Sequence, residues 1–487
     1  MSGFLGRFQL DRYGTNPGRE ATAGIATFLA MAYIIPVNTA ILSMTGIPGG
    51  AVMLATCLAS ALGTYLMAFY ANVPFAQAPG MGLNAFFTFT VVFGLGFSWQ
   101  QALAMVFICG IFNLIIVLTG FRQKLINAIP TYMKHAIGAG IGGFILYIGI
   151  KNAGLLEFII DPGTYFALGD ANSGSATIIA NSSVIPTLVP FKGSMVLLAL
   201  AAIVLTIILV AKKVKGGILI AIITATVAGI PFGFVKLDMG SYFGQLGGYF
   251  SDLGSVFGQA LIAIPSLFSD VVKIPIVLAA IFALSLTDIM DTIGTLIGAG
   301  SKIFTPEEMR GEGNDKRFRR AMNCDIAVTT KVGAVLGTST VTTYIESGVG
   351  IEAGGRTGLA SVWTATLFLA SVVLAPFAMA VPGYATAPAL IVVGALMLAP
   401  VGKLGEKLLE PAISVPVAFT VFTMLITYSI TNGIALGFIA HCIIRVCMSD
   451  SQRKEYCSGE EGGGKPSLIL VVLTCLFALG FVVTALI

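Results

Sequence analysis

Charge is what this sequence lacks most. Only 10% of its 487 residues are charged and 56% are hydrophobic, whereas a soluble domain usually carries about 25% charged residues. Histidine occurs twice, and the seven cysteines show no metal-ligand spacing, which argues against a metal centre and a disulfide framework. The composition therefore excludes a soluble globular protein and predicts a polytopic membrane protein embedded in a lipid bilayer.

The few charges mark loops. Basic residues concentrate in the N-terminal residues 1–20 and in the loop 301–321, while the segments 153–191 and 231–272 are mainly acidic. Because Lys and Arg are retained on the cytoplasmic side of a membrane, we expect a cytoplasmic N-terminus. These basic residues should orient the chain rather than bind nucleic acid.

Long apolar stretches recur between these loops, and about 20 such residues cross a bilayer core of about 30 Å. The loop charges agree with seven spans between residues 21 and 230 and seven of opposite orientation between 274 and 448. We therefore predict an all-α membrane protein with 14 transmembrane segments arranged as 7+7 inverted repeats, with a site at the midplane. The apolar segment 467–487 is additional, and either spans the membrane or lies on its surface.

The third and tenth spans are interrupted at their beginnings. FAQAPGMGLNAFFTFTVV (Phe75–Val92) contains Pro79, and GTSTVTTYIESGVGIEAGG (Gly337–Gly355) opens with Thr and Ser. Proline disfavours helix for the preceding residue, and threonine-rich runs favour extended backbone. We expect each span to begin extended, to become helical near Asn84 and Tyr344, and to present free N–H groups to a ligand.

Three carboxylates fall where the membrane interior is expected. Asp288 and Asp291 lie in the apolar run ALSLTDIMDTIGTLIGAG, and Glu346 lies in the interrupted tenth span. Ionised groups at this depth cost at least about 2.5–3.5 kcal/mol and usually face a polar cavity. The i, i+3 spacing of the two aspartates predicts that they share one face of a helix.

Several of these residues also have structural explanations. Asp288 could be the partner of a buried cation or of backbone N–H groups. Asn84 could cap the half-helix, contact a ligand, or both, while Phe86 and Phe87 could stack on a flat ligand or belong to the core. Lys331 could form an internal ion pair or extend to the cytoplasmic face. The two histidines, His135 and His441, have no visible partner and are interpreted as structural.

Five blocks of sequence resemble the AzgA-type purine permeases, which belong to the broader group of nucleobase transporters that includes the uracil permeases. The blocks run in order through nearly the whole chain, and they are Gly18–Asn38, Ala78–Val92, Asp288–Gly298, Gly337–Leu359 and Tyr384–Gly394. The resemblance implies proton-coupled uptake of hypoxanthine, guanine or adenine, no enzymatic activity and no cofactor beyond the proton. It also implies a bacterial inner-membrane location and a homodimer formed through a gate domain.

The resemblance further implies a core domain and a gate domain. The core would comprise residues 21–119 and 274–381, and the gate would comprise 134–230 and 385–448. Carried over by position, the substrate-contacting carboxylates fall on Asp288 and Glu346, and Asp291 matches a further acidic position. Proton coupling is expected at these three carboxylates. The remaining expected substrate contacts are Gly82, Asn84, Phe86, Phe87 and Thr343.

Other functions remain open at this point. The same fold could carry another nucleobase, such as xanthine or uracil, or an anion, although an anion carrier would be expected to replace the acids by neutral or basic residues. An intramembrane enzyme would need a nucleophile with a base or a metal cluster, and neither histidine neighbours the acids. A channel is a third alternative that composition does not exclude.

Overall fold

A computed structural model describes the chain except for residues 1–4, 120–127, 161–164, 169–176, 181–183, 215, 236–241, 301, 306–307, 309–314, 326–329, 403, 450–465 and 487. Parts of the predicted basic loop 301–321 and most of the loop before residue 467 therefore lie outside the described residues. The structure is a bundle of helices with six short strands in its described part.

The helices of the first half are α1 (Pro17–Met31), α2 (Ile34–Leu42), α3 (Gly49–Leu66), α4 (Met81–Ala85, continued as a π-helix over Phe86–Gly94), α5 (Trp99–Leu118), α6 (Thr131–Asn152), α7 (Ser194–Ala211), α8 (Gly217–Gly229), α9 (Tyr242–Val256), α10 (Gln259–Ile262) and α11 (Ile264–Leu267). Those of the second half are α12 (Ile274–Gly300), α13 (Arg317–Cys324), α14 (Thr330–Leu336), α15 (Ser347–Glu352), α16 (Gly358–Ala370), α17 (Ala375–Met379), α18 (Gly383–Met397), α19 (Ala399–Gly402), α20 (Pro411–Ile426), α21 (Ile430–Cys447) and α22 (Leu468–Leu486).

Eight helices of the described chain are long and apolar enough to cross a membrane, and several shorter apolar helices accompany them. The prediction of a helical membrane protein is therefore confirmed. The number of 14 spans and the 7+7 inverted repeat stay predictions, because length and composition identify only the eight.

The two interrupted spans meet as a pair of strands. β1 (Gln77–Pro79) and β6 (Val341–Thr343) run antiparallel, with Gln77 opposite Thr343 and Pro79 opposite Val341. The extended openings predicted from Pro79 and the threonine run are confirmed. Helix begins at Met81 rather than near Asn84, and at Ser347 rather than near Tyr344.

The later start of α15 has a visible cause. The Tyr344 N–H donates to the Ala76 carbonyl at 3.0 Å, and the Tyr344 hydroxyl donates to the Pro79 carbonyl at 2.5 Å. Tyr344 thus continues the ladder of the strand pair. A backbone group already committed to a strand partner cannot also close a helical turn.

A second strand region corrects the all-α prediction. β2 (Leu156–Ile160) pairs with β5 (Val184–Leu188), and β3 (Tyr165–Leu168) pairs with β4 (Thr177–Ala180), both antiparallel. These strands are rich in Ile, Val, Thr and aromatic residues, which favour extended backbone. They fall within the mainly acidic segment 153–191, which the charge pattern places outside the membrane.

Helices pack in two groups. In one, α1, α3, α15 and α16 approach closely, and in the other α6, α18, α20 and α21 do. Gly24 shows why small residues are needed, since a Cβ there would lie 2.6 Å from the Trp363 Cβ. Apolar helices associate in a membrane mainly through such close packing. α12 contacts α5, β6, α13 and α21, so it lies between these elements.

The C-terminal helix α22 packs against α12 and α21. Its Phe477 ring lies 6.1 Å from Phe282 of α12 and 6.2 Å from Phe438 of α21, both at steep interplanar angles. Edge-to-face aromatic contacts of this kind stabilise packing beyond the area that they bury. The helix therefore joins α12 to α21 of the second packing group.

A buried carboxylate caps α16. Glu20 is 0% exposed, and its two oxygens accept hydrogen bonds from the N–H groups of Arg356 at 2.8 Å, Thr357 at 3.3 Å and Ala360 at 3.0 Å. A negative charge at a helix N-terminus accepts hydrogen bonds from otherwise unpaired N–H donors and interacts favourably with the positive end of the helix dipole. Glu20 thereby fixes α1 to the beginning of α16.

We predict that Glu20→Gln lowers the free energy of unfolding by about 1–3 kcal/mol, because the amide NH₂ would face backbone donors where a charged acceptor now lies. Thermal unfolding of the purified protein in detergent measures the change. Glu352→Gln is the matched control, since Glu352 is exposed and pairs with Lys302 at the surface. A Glu20→Gln protein that unfolds at the same temperature as the Glu352→Gln control would contradict the capping role of Glu20.

Candidate functional site

The two aspartates of α12 contact different neighbours. Asp288 is 1% exposed and its Oδ2 accepts a hydrogen bond from Asn113 Nδ2 of α5 at 2.8 Å. The Ser285 hydroxyl in turn donates to Asn113 Oδ1. Asp291 is partly exposed, and its Oδ2 lies 3.4 Å from the Thr342 hydroxyl of β6. Residues three apart on a helix differ by about 60° in direction, which separates the two carboxylates.

Glu346 lies where β6 gives way to α15. It is partly exposed, and its Oε1 accepts a hydrogen bond from the Tyr33 hydroxyl at 2.7 Å. Tyr33 is 1% exposed and lies at the break between α1 and α2. Asp291 is close enough to Glu346 to repel it electrostatically. These three side chains form what we call the central acidic cluster: Tyr33, Asp291 and Glu346.

The two half-helices present different N-termini. In α15 the N–H groups of Ser347, Gly348 and Val349 bond to the carbonyls three residues earlier, at 2.9–3.1 Å. The prediction of free N–H groups there is therefore wrong, because the first turn closes on itself. At α4, the first internal bond joins Asn84 N–H to the Gly80 carbonyl at 2.8 Å. The N–H groups before it belong to a first helical turn, which has no intrahelical acceptor.

Asn84 is fully buried and has one open donor. Its Oδ1 accepts from the Ser339 hydroxyl, whereas its Nδ2 has no hydrogen-bond partner among the residues described. The N-cap of α4 is Gly80, without a side-chain cap, so the interpretation of Asn84 as a cap is wrong. A buried amide donor without a partner is costly and points to a ligand or water.

Three further predicted contacts lie in packed surroundings. A Cβ on Gly82 would come 2.6 Å from Ile141 Cγ2 of α6, so this glycine allows α4 to approach α6. Phe86 and Phe87 are 0% exposed and belong to the main hydrophobic core. Their contact with a ligand stays a prediction.

Thr343 belongs to a second polar group that the sequence did not suggest. Gln77 Nε2 of β1 donates to Asp325 Oδ1 at 2.5 Å and lies 3.4 Å from the Thr343 hydroxyl. The Thr292 hydroxyl of α12 donates to the other Asp325 oxygen. Asp325 is 1% exposed. We call these residues the rear polar group: Gln77, Thr292, Asp325 and Thr343.

Asp325 could have been found by the signal that marked the other three acids, a carboxylate in an apolar stretch, because it lies beyond the basic loop 301–321. Gln77, Tyr33 and Asn113 carried no signal beyond a polar side chain within an apolar run. The strand β6 explains why the polar residues fall into two groups, because successive side chains of a strand point to opposite faces. Thr342 accordingly faces Asp291, and Thr343 faces Gln77.

The remaining candidates lie elsewhere. His441 is 1% exposed and its ring nitrogen bonds to the Tyr132 hydroxyl. Lys331 is partly buried, and within the described residues no carboxylate lies in ion-pair range of it. No group of three His, Cys, Asp or Glu side chains that could hold a metal ion occurs in the part of the chain that was described.

Glu346 of the central acidic cluster follows β6, and Asn84 follows β1, so the two halves of the chain each place a polar side chain after one strand of the pair. Carboxylate oxygens accept hydrogen bonds, and the Asn84 amide donates one. Such a site favours a neutral ligand with N–H donors and at least one acceptor. An anion would be repelled by Asp291 and Glu346.

Comparison with known sequences gives consistent matches. The model of the Permease family (Xan_ur_permease) matches residues 18–436. The guanine/hypoxanthine permease PbuG of Bacillus subtilis is 40% identical over 449 residues, which cover 90% of this chain and 93% of PbuG. The adenine permease AdeP of Escherichia coli is 34% identical over 446 residues, covering 90% of this chain and 89% of AdeP.

Two solved structures have a similar fold. The transmembrane domain of the cyanobacterial bicarbonate transporter BicA gives a TM-score of 0.55 at 15% identity, covering 87% of this chain and 97% of that domain. SLC26A9 gives 0.56 at 11% identity, covering 91% of this chain and 67% of SLC26A9. At this level of identity the likeness concerns the fold alone.

We predict that Gln77→Ala destabilises the protein by about 1–3 kcal/mol, because it leaves the buried Asp325 carboxylate with fewer donors. Thermal unfolding measures the loss, with Gln100→Ala, at a partly exposed residue of α5, as control. A double-mutant cycle adds the sharper test. If Gln77 acts through Asp325, the cost of Gln77→Ala should fall in an Asp325→Ala background, and strict additivity would contradict the pairing.

Proposed function

Because this chain belongs to the Permease family, we propose that it carries purine nucleobases across a membrane by secondary active transport. Two observations support this most directly: the central acidic cluster after β6, and the open Nδ2 donor of Asn84 after β1. The relatives named as guanine/hypoxanthine and adenine permeases cover about nine-tenths of the chain. The protein acts as a carrier and not as an enzyme.

The cluster suits the hydrogen-bonding pattern of a purine. A purine base is flat and neutral, with N–H donors and ring-nitrogen acceptors on its edge. One carboxylate oxygen of Glu346 accepts a hydrogen bond from Tyr33. The second oxygen is able to accept a hydrogen bond from a purine N–H. Asp291 offers a further acceptor, and Asn84 Nδ2 donates to a ring nitrogen or an exocyclic oxygen. The first N–H groups of α4 add donors from the backbone.

Asp288 acts indirectly in the proposed binding of substrate. It is held by Asn113 on the side of α12 that faces α5, so it orients α12 and tunes the local charge. Gly82 acts by bringing α4 close to α6, and Thr343 acts through Gln77 and Asp325. Phe86 and Phe87 support α4 from the core and stack on substrate only if α4 moves.

The full architecture proposed is 14 spans in two inverted repeats. β1 and β6 occupy corresponding places in the two halves and pair antiparallel, as elements related by an in-plane axis would. The two packing groups support a core of residues 21–119 and 274–381 and a gate of residues 134–230 and 385–448. Movement of one against the other exposes the site alternately to each side. We also propose a homodimer through the gate.

Proton coupling follows from the charges at the centre. Asp291 and Glu346 repel each other, and the described structure places no Lys or Arg within ion-pair range of either. A proton shared by the pair removes that repulsion and the cost of burying two charges. One proton therefore binds together with substrate and is released with it. The basic end of the bundle faces the cytoplasm of a bacterial inner membrane.

An anion carrier on the same fold is the main alternative. It is disfavoured because the centre holds carboxylates rather than basic groups. Another nucleobase, such as xanthine or uracil, has a similar donor pattern, so competition with unlabelled bases during uptake distinguishes it.

We predict that Glu346→Gln lowers the initial rate of radiolabelled hypoxanthine uptake by about 10–100-fold, since a hydrogen bond to a charged acceptor contributes about 1.5–3 kcal/mol. Uptake is measured in cells without their own purine carriers, at matched protein levels. Glu352→Gln, an exposed residue of α15, should leave the rate unchanged. Equal uptake by both variants would contradict the role of Glu346.

Coupling is tested separately from binding. A protonophore should abolish the accumulation of hypoxanthine above the external concentration, while replacing sodium by choline should not. Asp291→Asn should retain exchange of internal for external hypoxanthine but lose accumulation. Accumulation that survives the protonophore and collapses without sodium would show that the coupling ion is not a proton.

A further inference from the structure

A basic cavity is lined by residues outside the central acidic cluster. Three separate segments line it: the N-terminal residues 7–13, the π-helical end of α3 and the residue after it (68–72), and the start of α13 at residues 315–320. Its volume is about 390 Å³, which is within the range of small-molecule sites. We call it the terminal basic pocket.

The charge of this pocket is strongly one-sided. Five basic side chains line it against the single carboxylate of Asp315, and they are Arg7, Arg12, Lys316, Arg317 and Arg320. Asp315 is already engaged, since its Oδ2 accepts from Arg317 Nε at 2.8 Å. For the other four, no carboxylate within ion-pair range is found among the described residues. Like charges brought together in this way repel one another, and a bound anion removes that repulsion.

Hydrogen bonds and a cation–π contact hold the floor of the pocket in place. Arg317 is 7% exposed and donates to the carbonyls of Asn72 at 3.2 Å and Arg356 at 3.0 Å. Its guanidinium lies 3.7 Å from the Tyr13 ring centre. Asn72 Oδ1 accepts from the Gly358 N–H at 2.9 Å. These contacts hold the N-terminal segment, the end of α3 and α13 in one arrangement.

Convergence, and not burial, distinguishes the pocket from a general basic surface. Four of the five basic side chains that line the pocket are exposed, and so is Arg319, which does not line it. The pocket residues instead converge from three segments onto one cavity, which general orientation by charge does not require.

We propose that the terminal basic pocket binds a phosphate-bearing anion. A phosphoryl group carries up to two negative charges on several acceptor oxygens, and arginine recognises it with paired N–H donors. A single carboxylate would balance less of the charge. The transported base is neutral, so this ligand differs from the substrate. The proposal stands without the assignment of the transported substrate.

The phosphate can come from a soluble molecule or from the headgroup of an anionic lipid. The test uses the full chain in nanodiscs of neutral phosphatidylcholine, titrated with inorganic pyrophosphate by calorimetry. In parallel, the melting temperature is compared between phosphatidylcholine and phosphatidylglycerol nanodiscs. The test variant is Arg12→Gln/Arg320→Gln, and the control Arg19→Gln/Arg319→Gln removes two exposed charges that do not line the pocket.

A soluble ligand gives pyrophosphate binding that weakens at least tenfold in the test variant and less than twofold in the control. A lipid headgroup gives no pyrophosphate binding but a higher melting temperature in phosphatidylglycerol, lost in the test variant alone. The proposal is overturned if neither probe acts, or if test and control variants respond alike. Should the double variant not fold, the single variants Arg12→Gln and Arg320→Gln, both at exposed side chains, replace it.

Discussion

The pairing of β1 with β6 is the interaction on which the rest of the site depends. Extended backbone inside an apolar bundle leaves N–H and C=O groups that neither water nor lipid can satisfy. Antiparallel pairing satisfies those groups for both segments at once. It also fixes where α4 and α15 begin, because each helix starts where the strand ladder ends. The positions of Glu346 and Asn84 follow from where the strand ladder ends.

The alternation along β6 divides the buried polar groups into two sets. Thr342 faces Asp291 and the central acidic cluster, while Thr343 faces Gln77 and Asp325 in the rear polar group. α12 takes part in both, through Asp291 and Thr292. A shift of the strand pair against α12 would therefore disturb both sets together, so the two sets are not independent of each other.

Local signals predicted the parts of this site but not their assembly. Pro79 and the threonine run indicated extended backbone, since both act on neighbouring residues. Nothing local indicated that the two segments pair, because register between distant strands follows from the whole fold. Three acids were found by their cost in an apolar run, whereas Asp325, near the beginning of another such run, was missed. The strands between residues 156 and 188 were missed because the acidic residues of the segment 153–191 indicated a loop outside the membrane.

The central charges decide what a fold of this kind can carry. Solved transporters with a similar fold differ widely from this chain in sequence. The fold alone therefore does not determine which substrate is carried. Here Asp291 and Glu346 face the same region, with Tyr33 donating to one of them. An anion entering this region would add a third negative charge without a described cation to balance it. In the mechanism that we propose, a neutral base donates to the carboxylates, and a single proton relieves their repulsion. Selection and coupling would then arise from the same pair of side chains, which is why separating the two in experiment requires one substitution at each.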